Sequence, residues 1–327
     1  MSKVKEILKT VFDFIRYKIG IQRLVALVIA IVLVVNIGIA IVLTSSVFGK
    51  DGLADSKKAD KIIDIYLSDN KHYTWIKGKA KPCAINGENG NKLNAMLLSN
   101  YETSHSYVIV CHPFSAMAID MATYAYHFYD LGFNVYLPEA RGYGESKYKK
   151  TTLGYEEYKD IIKWVDYIVE SDEDAKIFIF GVGMGGTSAL LTADKNLPEN
   201  VKGIIADCPY SDLNDLFKHN IKELYNLPSF PVVQLASAYN KLANGWSFSD
   251  FDVKESVVNA QVPLLFIQAG EDQVVPAAHI NDLYDITTER NSEYLFISGA
   301  GHCETLKADY DKYWNSVDTF ILNTIDL

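Results

Sequence analysis

Gly181-Val182-Gly183-Met184-Gly185-Gly186 lies between an apolar run, Lys176–Phe180, and a helical pattern that continues to about Lys195. Glycines this dense at a strand-to-helix junction serve one of two purposes. In a G-x-G-x-x-G loop they let a pyrophosphate approach a helix N-terminus, and Asp207 stands where such loops keep a ribose-binding acid. In a G-x-S-x-G elbow they relieve crowding around a nucleophile held on a sharp turn. Here the nucleophile's position is occupied by Gly183.

The flanking sequence chooses between the two. Downstream, Gly270-Glu271-Asp272-Gln273-Val274-Val275-Pro276 follows one strand pattern and Gly299-Ala300-Gly301-His302 follows the last. Acid then histidine, each at the carboxyl end of a strand, is the chain order of a hydrolytic triad built on a parallel sheet. Upstream, Cys111-His112-Pro113-Phe114 and the run Leu137 to Ser146, which contains Arg141-Gly142-Tyr143-Gly144-Glu145-Ser146, also end strand patterns. A dinucleotide domain predicts none of these four features, and its glycine loop follows the first strand rather than several.

Strands are expected over His72–Ile76, Asn94–Leu98, Tyr107–Cys111, Phe133–Leu137, Lys176–Phe180, Val201–Ala206, Leu264–Ile267 and Tyr294–Ile297. Helical patterns fill the intervals, with a last helix from about Asp309 to Ile325. Short apolar strands alternating with helices predict an α/β fold: a mostly parallel sheet with helices on both faces. One interval, about 210–259, holds helical patterns and no strand; rich in Phe and Trp, it reads as a small helical cap over the strand ends.

Together the Arg-Gly-x-Gly-x-Ser run, the Met-Gly-Gly elbow and the Asp272 and His302 turns resemble the α/β-hydrolase superfamily. The nearest likeness is to the bacterial membrane-anchored branch of serine aminopeptidase-like and acyl-thioesterase-like proteins. The resemblance covers about residues 72–327 and implies an eight-stranded sheet with the cap inserted after the sixth strand. It implies that Asp272 orients His302, that His302 is general base and then acid, and that the backbone N–H groups of Phe114 and Met184 form an oxyanion hole. Gly183 departs from the pattern, since without a hydroxyl no acyl-enzyme forms there. Three readings follow: an esterase- or peptidase-like pseudoenzyme that binds an apolar acyl or peptide ligand, a weak hydrolase in which His302 and Asp272 activate water, and a nucleotide-binding protein using Gly181–Gly186. Cys303, Cys111 and Ser115 are the conceivable substitute nucleophiles, while Arg141 and His112 read as architectural. No cofactor is expected.

The 327-residue chain has a net charge of −10, which argues against a nucleic-acid partner because no basic stripe runs along its body. The exception is its start: residues 1–23 carry six cations against Glu6 and Asp13. Leu24 to Thr44 then runs without a charge, about the 20 residues needed to cross a bilayer. No Ala-x-Ala cleavage site follows, so an uncleaved single-pass anchor is expected, with the basic tip cytoplasmic and the body outside the cell membrane. Residues 45–71 read as a polar connector, with an amphipathic helical pattern over Ala59–Leu67. Cys83, Cys111, Cys208 and Cys303 form no Cys-x-x-Cys pair, so a metal site is not expected from spacing.

Overall fold

The computed structural model describes residues 2–48, 70–87, 90–100, 104–146, 150–287 and 292–326, so the Ala59–Leu67 pattern lies outside the described residues. Eight strands form one sheet: β1 Lys81–Asn86, β2 Lys92–Leu98, β3 Ser106–Cys111, β4 Asn134–Pro138, β5 Lys176–Val182, β6 Val201–Asp207, β7 Leu264–Ala269 and β8 Ser292–Ile297. Their order is β1-β2-β4-β3-β5-β6-β7-β8, antiparallel at β1 and β2 and parallel from β4 onward. The parallel strands are almost wholly apolar because both faces are covered. In β3, Ile109 and Cys111 join one core cluster while Val108 and Val110 join the other.

Helices α2 (Asn70–Lys79), α3 (Ala122–Asp130) and α11 (Tyr310–Thr324) contribute Ile76, Tyr124, Phe128, Tyr313 and Phe320 to the second cluster. The opposite face is covered by α4 (Glu157–Ser171), α5 (Met184–Leu190), α8 (Val253–Val258) and α9 (Ala277–Asp285). Two more helices, α6 (Leu213–Tyr225) and α7 (Val232–Asn244), precede α8 between β6 and β7, and α10 (Thr305–Ala308) precedes α11.

The expected strand over His72–Ile76 is part of α2. Its rings are drawn into side-by-side packing on α3, where His72 stacks on Tyr126 and Trp75 meets Tyr126 and Tyr129 edge-on. The true first strand, β1, carries Pro82 and is mostly exposed, which an edge strand tolerates and which leaves no apolar signature.

The segment between β6 and β7 is helical, and several of its aromatic residues stack within it or on the neighbouring Tyr155. Phe217 stacks on Phe248, Tyr210 on Phe251, and Trp246 on Tyr155. Trp246, Phe248 and Phe251 are buried, so these rings pack the cap onto the body.

Helix α1 (Ser2–Phe48) is continuous and exposed over most of its length. Its Lys5–Ser45 portion is long and apolar enough to cross a membrane. The last turns pack on α7: Ala40 and Thr44 are buried there, and Ile39 and Leu43 are half-buried.

Candidate active site

The loops that leave the carboxyl ends of β3, β5, β6, β7 and β8 meet at one place. After β5 the chain turns at Gly183, whose φ of 53° and ψ of −115° lie outside the ordinary range of side-chain-bearing residues. Its N–H donates to the Asp207 carbonyl at 2.7 Å, and its carbonyl caps the start of α5 by accepting from Thr187. A Cβ on Gly185 would press on the Cys111 carbonyl, and one on Gly181 on the Gly185 backbone. These glycines therefore serve close packing of α5 on β3 and β5 rather than a pyrophosphate. Asp207 likewise offers nothing to a ribose, because it is fully buried and accepts from Thr305 at 2.6 Å, Tyr313 at 3.0 Å and the Cys208 thiol at 3.1 Å. Burial raises its pKa to about 6 against those hydrogen bonds.

Asp272 and His302 are brought together as the chain order implies. His302 Nδ1 lies 2.7 Å from Asp272 Oδ2, while Asp272 Oδ1 accepts the N–H groups of Val274 and Val275 at 2.9 and 2.7 Å. The β7–β8 pairing continues into both loops, with Gly270 N–H to the Ile297 carbonyl and Glu271 N–H to the Ala300 carbonyl, each 2.8 Å. The Asp272 side chain is 1% exposed and that of His302 is 25% exposed, so the acid is sealed while the imidazole can meet a substrate. Burial would lower the His302 pKa, but the adjacent Cys303 sulfur and the Asp272 carboxylate outweigh it and hold the imidazole well above its usual range. The Cys208 sulfur comes within 4.8 Å of this pair, yet Asp272 and His302 direct their facing atoms at each other, so no metal is assigned.

Phe114 and Met184 flank the elbow. Met184 opens α5, where an N–H has no carbonyl partner four residues back within the helix. Phe114 lies in a loop held from behind. His112 is buried and accepts the Ala140 N–H at 3.0 Å through Nε2, with Nδ1 on the Pro113 carbonyl at 2.9 Å, and burial pushes its pKa down to about 4. Tyr143 accepts the Ser115 N–H through its hydroxyl at 3.1 Å and packs edge-on against His112. Arg141 is buried and grips Asp160 with Nε and Nη2, both at 2.8 Å, and Glu156 with Nη1. His112 and Arg141 are architectural, as read from the sequence. Tyr143 and Asp207 as props of the site were missed, since a tyrosine or aspartate at a strand end carries no local mark of where its side chain turns.

A Cβ built on Gly183 would stand 3.3 Å from Pro113 Cβ, 3.4 Å from Cys303 Sγ and 3.6 Å from His302 Nε2. Cys111 also reaches the back of the elbow, and Ser115 lies in the loop beyond Phe114, but neither is among the three groups nearest that point. The imidazole is thus aimed at the place of the missing side chain.

Comparison with known proteins agrees with this architecture. Residues 102–250 match the family described as serine aminopeptidase, S33. The chain is 26% identical over 292 residues to the uncharacterized protein YqkD of Bacillus subtilis, covering 88% of this chain and 95% of that one. It is 26% identical over 192 residues to the alpha/beta hydrolase domain-containing protein WAV2 of Arabidopsis thaliana, covering 56% and 58%. Among solved structures, the esterase Pf2001 of Pyrococcus furiosus superposes with a TM-score of 0.64 at 21% identity, over 77% of this chain and 95% of that one. The alpha/beta hydrolase GrgF from Penicillium sp. sh18 gives 0.59 at 16%, over 76% and 99%.

Proposed function

We propose that the chain, whose fold and residues 102–250 are similar to those of α/β hydrolases, is a membrane-anchored acyl hydrolase in which His302, oriented by Asp272, carries the proton and residue 183 supplies only backbone. One observation carries this reading: His302 Nδ1 is 2.7 Å from Asp272 while Nε2 points to within 3.6 Å of the Cβ position of residue 183. An acid–base pair so aimed is useful for ester, thioester or peptide cleavage. The N–H groups of Met184 and Phe114 would receive the oxyanion, and the helices between β6 and β7 would cap the site. Helix α1 would hold the body at the outer face of the cell membrane, with the basic tip of residues 1–23 in the cytoplasm.

The missing hydroxyl favours a second reading, a scaffold that binds an acyl ligand without turnover. Short 4-nitrophenyl esters and acyl thioesters, given to the full chain in detergent, separate the two. Turnover that disappears with His302→Ala supports the hydrolase, with the rate rising as pH passes through the raised histidine pKa and neutral imidazole forms. No turnover in the parent chain, together with strong turnover in Gly183→Ser, supports the scaffold. A fluorophosphonate should label the Gly183→Ser chain at that position and leave the parent unlabelled; equal labelling would show that the elbow is misassigned.

A further inference from the structure

Resting on the acyl-hydrolase reading above, we propose that Cys303 is the nucleophile, its thiol attacking acyl esters and thioesters as part of a relocated Cys303–His302–Asp272 triad. Cys303 Sγ and His302 Nε2 lie 3.4 and 3.6 Å from one and the same point, the Cβ position that Gly183 leaves empty. A nucleophile, its base and the base's orienting acid are therefore contiguous; Cys303 is itself only 3% exposed, so an acyl group would reach it through the space beside Gly183. Cys303 has φ of 59°, a left-handed conformation uncommon for cysteine, immediately after the histidine. Strain of this kind gathers at functional turns; Ser115, Gly183 and Cys208, in the loops after β3, β5 and β6, share it.

The other thiols are unsuited. Burial pushes the Cys111 thiol up to about 12. Cys208 donates its S–H to Asp207 at 3.1 Å, and its pKa is likewise raised by burial. Cys83 lies on the edge strand β1. Around the Cys303–His302 pair stand Asp272, Asp207, Cys208, Tyr124 and Tyr313, with Glu304 next in the chain and its carboxylate against Gly301; burial raises both tyrosines well above their usual range.

The step balances without a co-reactant. The Cys303 proton passes to His302 Nε2, and the sulfur bonds to the acyl carbon. The oxyanion forms toward the Met184 and Phe114 N–H groups. The bond to the alcohol or thiol breaks, and that group leaves with the proton from His302. Water then attacks the thioester, gives its proton to His302, and releases the carboxylic acid and the regenerated thiol.

The test uses the full chain in detergent with 4-nitrophenyl butyrate, and with iodoacetamide as a thiol probe, both read by peptide mass mapping. We expect Cys303 to be alkylated about tenfold or more faster than Cys83, because the adjacent His302 can take the thiol proton as the sulfur attacks. That advantage should vanish in His302→Ala. The ester should leave a butyryl group on Cys303, and Cys303→Ala should lose roughly 100-fold or more in turnover, while Cys83→Ala should not. The alkylation and acylation readouts need no variant and decide the matter even if turnover is undetectable: no butyryl adduct and no fast alkylation at Cys303 overturn the proposal. Cys303→Ala hydrolysing at the parent rate while His302→Ala does not would also overturn it, leaving water as the attacking group. Turnover indifferent to both changes would sink the acyl-hydrolase reading as well.

Discussion

Two glycines two positions apart in the elbow have different reasons to be glycine. A Cβ at residue 183 meets only side chains at 3.3–3.6 Å, so a serine there needs Pro113 to give slightly and must accept φ of 53°. A Cβ at residue 185 meets the backbone of β3, which cannot yield. Gly185→Ala should therefore destabilise by about 1–3 kcal/mol in a denaturant melt, whereas Gly183→Ala should be the milder change. Glu139 offers a pH test at the same scale. Burial raises its pKa to about 7, with Asp120 and Glu145 adding to the effect and the Ala118 N–H opposing it. The folded chain thus binds this proton more tightly than the unfolded chain, whose glutamate titrates near ~4.3. Its contribution is whole below that value and is lost as pH rises through about 7. Melting temperatures from pH 5 to pH 8 should fall in the parent and fall less in Glu139→Gln.

At the scale of elements, the site is a matter of which loops are tied together. Arg141, just after β4, is clamped to α4 through Asp160 and Glu156, and Ala140 beside it donates to His112 in the Phe114 loop. Removing the guanidinium strands a buried carboxylate, so Arg141→Met should cost about 3–5 kcal/mol. Arg141→Lys keeps the charge but loses the two-pronged grip, and should recover only part of that in the same melt. The ladder between β7 and β8 sets Asp272 opposite His302 in the same manner. These ties were partly legible: strand ends carrying Asp, His and Gly stood out, while His72–Ile76 was misread because a short aromatic run fits helix and strand alike.

In the whole molecule, the anchor and the cap are not independent. The last turns of α1 bury Ala40 and Thr44 against α7, so the apolar segment that reads as a membrane span also covers part of the body. A chain lacking residues 1–44 should melt lower than one lacking residues 1–35, by about 2–4 °C for each kcal/mol of lost contact. Phe230, just before α7, and Leu242, near its end, are 74% and 88% exposed, so the helix that meets the anchor also carries exposed apolar side chains. Equal melting of the two truncated chains would show that the α1–α7 contact contributes nothing.

By itself the sequence determined the alternation of strands and helices, the apolar N-terminal stretch and the chain order elbow, acid, histidine. Each is local: periodicity reports which faces are covered, and the strand-end residues are marked by the turns that hold them. Only the tertiary structure decided that Cys303, rather than Cys111 or Ser115, stands with His302 at the empty position beside Gly183. It alone turned Asp207 inward and folded the aromatic rings between β6 and β7 onto one another. The physical reason is that these distances depend on sheet register and on left-handed turns at Gly183, Cys208 and Cys303, which join residues more than a hundred positions apart and leave no periodic trace along the chain.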